Sequence, residues 1–143
     1  MSGISNNVFF AVAKIKTVFA NDIGELKCGV GTGFWISDEK NKENIFVTNK
    51  HVVNYQLYSN TFGFKLKKVE IEFRKSRESE ESGCRYLEGT PRFFEVINIT
   101  DSLKEHSDAD CAIFFNPKFN NKEDDYGLVC WINFEEIADQ NFF

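Results

Sequence analysis

Apolar residues in this chain recur at every second position more consistently than at every third or fourth. That period marks half-buried strands, and it picks out six runs: 8–19, 27–37, 44–49, 62–73, 93–100 and 111–115. Within the fourth run Phe62, Phe64 and Leu66 share one parity, while Val69, Ile71 and Phe73 share the other. A bulge near Lys67 and Lys68 would bring both sets to one face and bend the strand. The connectors are polar and turn-like: "NDIGE", "DEKNKEN", "KSRESEESG" and "NPKFNNKEDDYG". The mixed-charge run 74–81 reads as a solvated hairpin loop. Six strands with short polar turns predict an all-β fold, a six-stranded antiparallel barrel. Its expected core draws on Ile36, Phe46, Val47, Phe73, Ile97, Ile113 and Phe115, each inside an alternating run.

Towards the end the pattern changes. "NFEE" has the form of a helix start, with Asn133 as cap and Glu136 three residues on. The chain therefore divides into a barrel, residues 1–127, and a linker or short helix, residues 128–143. Its last residues, "DQNFF", hold two phenylalanines that nothing following can bury, so an interrupted chain is expected.

Composition sets bounds on partners. The 143 residues suit one domain, and sixteen phenylalanines imply an aromatic core. With 17 basic and 22 acidic residues the net charge is −5, which argues against a basic nucleic-acid or anionic-membrane face. The start, "MSGISNNVFFAVAKIK", lacks a basic leader region, and no window approaches the ~18 apolar residues of a membrane span. Cys28, Cys84, Cys111 and Cys130 form no C-x-x-C pair, which favours reduced thiols and a cytoplasmic setting, with a disulfide between two of them left open. Two histidines and scattered cysteines give no metal-ligand spacing, and no cofactor is expected.

Candidate chemistry rests on few residues. A general base near neutral pH is most often histidine, steadied by a carboxylate. His106 lies in the polar loop "KEHSDAD" and reads as solvated, whereas His51 sits between the apolar runs "IFVTNK" and "VVN". A hydrogen-bonded structural histidine accounts for the same setting. Asp108 and Asp110 share parity before the last strand, so alternation cannot separate them, but Asp110 abuts the apolar run. A turn or N-cap role is the plain alternative for either. The glycines of "GVGTGFWI" lack the third glycine and the following helix of a phosphate loop, and fit close backbone packing within a strand.

"GTGFWIS", then "IFVTNKHVV", then "DADCAIF" resembles the first barrel of the trypsin-like (chymotrypsin-fold) serine peptidases, nearest their bacterial trypsin-like and HtrA-type branch. The resemblance implies that His51 is the catalytic base and Asp110 its orienting carboxylate, with a second barrel supplying nucleophile and oxyanion hole. Ser82-Gly83 is no substitute, because Glu80 stands where that motif needs glycine and the loop precedes Asp110. The expectation is thus the N-terminal part of a serine-type endopeptidase, inactive by itself. A protein or peptide would be its substrate, and a second barrel or partner chain would complete the triad with serine or cysteine. A non-catalytic binding module derived from such a barrel is the alternative.

Overall fold

The computed structural model describes residues 12–55, 63–78, 85–123, 126 and 132–133. Its elements in chain order are β1 (Val12–Ala20), β2 (Leu26–Asp38), β3 (Glu43–Thr48), the helical turn α1 (Lys50–Val53), β4 (Lys65–Glu78) and β5 (Arg85–Glu95). A second helical turn α2 (Ile99–Ser102), then β6 (Leu103–Glu105), β7 (Ala112–Phe115) and β8 (Ile132–Asn133) complete the order. β1 shows why alternation works here. Ala13, Ile15, Thr17 and Phe19 are buried, while Lys14 and Lys16 between them face solvent.

Seven strands pair antiparallel in the order β5-β4-β1-β2-β3-β7-β6, and β8 joins parallel to β2 through Ile36–Ile132 and Ser37–Asn133. This corrects the expected six-stranded closed barrel. The path ends at β5 on one side and β6 on the other, and no ladder among the described residues joins those ends; Val96–Phe119 is a single bridge. Alternation counts strands and assigns faces, but closure depends on tilt and stagger between strands, which no local pattern records.

Several boundaries differ as well. β4 continues through much of the charged run read as a loop, pairing with β5 from Lys75–Glu88 to Glu78–Arg85. The run expected at 93–100 stops at Glu95, and the chain turns helically over Ile99–Ser102, with Ser102 N–H donating to Asn98 O at 2.9 Å. The three-residue β6 was not anticipated. A helix beginning at Asn133 would occupy residues outside those described.

The bulge is present. Val18 pairs with Lys68 and Phe19 with Leu66, so the register skips Lys67. That skip lets Phe64 and Val69, of opposite parity, both be buried. The interior is aromatic. Trp35 meets Phe46 edge-on at 4.9 Å between ring centres, Phe73 meets Phe119 at 4.8 Å, and Phe94 meets Tyr126 at 5.3 Å. Edge-to-face contacts of this kind add to the area these rings remove from water.

Two of the seven residues expected in the core are buried there. Phe46 and Phe73 are buried, but Ile97 is 60% and Phe115 36% exposed. Ile36, Val47 and Ile113 are half-buried on the opposite face of the sheet. β3 pairs with β7 through Phe46–Phe114 inside and Val47–Ile113 outside, so both parities are apolar and alternation alone cannot choose the inner one. Phe46→Ala should therefore cost about 3–5 kcal/mol in urea unfolding. Phe115→Ala should cost a small fraction of that; equal losses from the two would mean that β7 turns its other face inwards.

Candidate functional site

β3 delivers the chain to Asn49, whose extended backbone (φ −77°, ψ 144°) leads into α1. The first N–H groups of any helical turn lack partners within it, and the Asn49 side chain supplies no cap. The missing acceptor comes from far along the chain. Asp110 Oδ1 accepts from the His51 backbone N–H at 2.9 Å, and its Oδ2 lies 2.7 Å from His51 Nδ1. Asn49 Nδ2 in turn donates to the Asp110 carbonyl at 3.2 Å. Residue 51 is thus held by one carboxylate at both backbone and ring.

One glycine of β2 explains how α1 seats, and another how β3 packs. A Cβ on Gly31 would come within 2.7 Å of the Val52 side chain, and one on Gly33 would meet the Val47 carbonyl and, at 2.5 Å, the Phe46 ring. Both positions need a bare backbone because something else fills the space, as expected for close packing. Val53 is buried in the core, so α1 is anchored by the two residues directly after His51.

Asp110 sits in the six-residue connection, 106–111, between β6 and β7. His106 N–H donates to Cys111 O at 2.9 Å, closing the loop at its base. The His106 side chain lies at the surface, as expected, but it is engaged. Its Nδ1 accepts from Asp108 N–H at 3.0 Å and Ala109 N–H at 2.8 Å. Of the two candidate aspartates, Asp110 is the one that meets His51.

The pair is accessible, with the His51 and Asp110 side chains 34% and 51% exposed. The Asp110 carboxyl is held below the usual carboxylate range, first by its hydrogen bond to the His51 ring and next by that from the His51 backbone. A cavity of about 270 Å³ lined by Val12, Phe34, Val47 and Cys111 together with Asn49 and Asp110 borders the carboxylate but does not include His51. A larger one of about 630 Å³, floored by Trp35 and Phe73 with Lys42, Lys118 and Lys122 at its rim, contains neither member of the pair.

Comparison with protein-family models, curated proteins and solved structures finds no match. The resemblance to trypsin-like serine peptidases is overturned. The closed barrel on which that identity depended is an open sheet, and no relative supports the protease assignment. The reading as the N-terminal part of a serine endopeptidase falls with it, as does the alternative of a binding module derived from such a barrel. A His–Asp contact by itself does not make a trypsin-like active site. The matching segments encode a strand, a turn and a hairpin-borne aspartate, which many sheets can supply, and short motifs carry that risk.

Among the described residues no helix is long and apolar enough to cross a membrane, and no group of three His, Cys, Asp or Glu could hold a metal ion. Cys28 and Cys111 are free thiols. Sequence reasoning missed Asn49, the seating of Val52 over Gly31, and the engagement of His106. The last carried a signal: His106 precedes Asp108 and Ala109 by the spacing at which asparagine and aspartate side chains accept backbone N–H bonds.

Because its folded-state value lies below the unfolded one, Asp110 binds fewer protons in the folded chain. The stability this contact contributes is present above the unfolded value, about 3.9, and is lost as pH falls through the folded value. Carbon-13 NMR of the carboxyl should show its midpoint below the ordinary aspartate value. In His51→Ala it should rise part of the way back, since the residue 51 backbone N–H remains. An unchanged midpoint would mean that the ring contact is not formed in solution.

Proposed function

We propose that His51 and Asp110 form a general acid–base pair, with His51 taking a proton from an O–H or S–H group and later returning it to a leaving group. The observation that carries this reading is the 2.7 Å contact between Nδ1 and Oδ2. A carboxylate there favours the ring tautomer with its proton on Nδ1, which puts the basic lone pair on Nε2, and it stabilises the imidazolium formed after proton transfer. The second bond, to the His51 backbone, fixes the ring's pivot as well as its tautomer. Partial exposure supports access by a reacting molecule.

The proton donor is water, or a hydroxyl or thiol carried by the substrate or by a partner chain. Proton transfer of this kind serves hydrolysis or acyl transfer at a carbonyl, and the small apolar cavity bordering Asp110 does not include His51. A reducing, cytoplasmic setting is compatible with the thiols Cys28 and Cys111. Asp110 also caps α1, so part of its contribution is structural.

The test uses an activated ester, which makes little demand on the nucleophile. The 143-residue chain should release p-nitrophenolate from p-nitrophenyl acetate with saturation. His51→Ala should lower it by about 10²-fold or more, the usual contribution of a positioned general base. Asp110→Asn should lower it while leaving the fold in place. A His51→Ala protein as active as wild type would remove the acid–base reading.

A further inference from the structure

His106 has its own geometric role, distinct from that of His51. Its Nδ1 accepts two successive backbone N–H groups, those of Asp108 and Ala109, at 3.0 and 2.8 Å. Asparagine and aspartate do this with a side-chain oxygen, organising the turn that follows them. Histidine can do it only with a lone pair on Nδ1, which requires the neutral tautomer protonated at Nε2. Two backbone bonds reinforce the same loop, His106 N–H to Cys111 O at 2.9 Å and Cys111 N–H to Ala109 O at 2.8 Å. Ala109 is therefore fixed at both its N–H and its carbonyl, directly before Asp110. On the far side the Asp110 carbonyl is held by Asn49.

We infer that His106 is a positioning residue for Asp110: its imidazole holds the 106–111 loop in the conformation from which one carboxylate reaches both the backbone and the ring of His51. The catalytic consequence rests on the acid–base reading above, whereas the structural claim does not. Without the Nδ1 acceptor, the Asp108 and Ala109 N–H groups turn to water and the loop gains alternatives that carry the carboxylate away from His51. A short-range side-chain bond in one loop thus sets a contact between segments 59 positions apart.

Proton and nitrogen-15 NMR of the full chain reads this directly. A proton held between His51 Nδ1 and Asp110 should resonate far downfield, and coupling to nitrogen-15 assigns it. His106→Ala should lose that resonance and move the Asp110 carboxyl midpoint up towards its ordinary value, with amide signals away from the loop unchanged. His106→Asn, which restores an acceptor oxygen at similar reach, should recover both. In the ester assay kcat should fall by about 10²-fold in the first variant, as for an ångström-scale misplacement, and return in the second. Persistence of the His51 proton in His106→Ala would overturn the proposal, and so would its absence in a folded His106→Asn. Should His106→Ala not fold, His106→Asn decides by itself. A wild-type protein with the proton present but no esterase activity would sink the acid–base reading and leave the role of His106 intact.

Discussion

The candidate site depends on a single carboxylate joining two segments that the chain itself keeps far apart. Asp110 closes the gap between the β6–β7 loop and α1 by accepting from the backbone of His51 and bonding its ring. A four-residue helical turn has almost no stability of its own, because nucleation fixes several dihedrals for one hydrogen bond. α1 persists because its N-terminal side is capped from outside, Val52 packs over Gly31 of β2 and Val53 is buried in the core. Both partners of the pair are partly exposed, so solvent screens their attraction. The chief effect of the contact is orientation rather than stability.

That arrangement presupposes a rigid platform. β2 carries Gly31 under α1, β3 leads into the turn, and β7 follows the loop that bears Asp110. The three strands are neighbours in the sheet, and the aromatic interior locks their inner faces through Trp35, Phe46 and Phe114. Beyond the β4 bulge at Lys67, Val69, Ile71 and Phe73 add to that interior, while Phe64 before it is buried against Tyr55. A shift of β3 against β7 by one residue would exchange Phe114 for Ile113 or Phe115 inside, and would carry Asp110 away from His51. Packing in the core and geometry at the surface are therefore set by the same register.

The outer face of these strands is also apolar. Phe34, Val47 and Ile113 form one cross-strand row with Val12 at its end. That second apolar face misled the core expectation at Phe115, and it lines the small cavity bordering Asp110. A strand with hydrophobic residues on both parities satisfies either orientation locally. Only its neighbours decide.

Much was settled by residue order alone. Alternation located β1, β2, β3 and β7 to within a few residues and the core of β4 without its far end, parity conflict exposed the bulge, and the apolar setting of His51 marked it as a candidate. These features are legible because each follows from the conformation of consecutive residues. Tertiary structure decided the rest. Whether the sheet closes depends on stagger summed across strands, and among the described residues β5 and β6 remain separate ends. Asp110 prevails over Asp108 because loop 106–111 turns its carboxylate towards α1, which equal parity could not reveal. Gly31 is explained by Val52, a residue 21 positions later that packs where a side chain would be. A local pattern specifies a strand and its two faces; only the assembled sheet determines which face is buried and which distant groups meet across it.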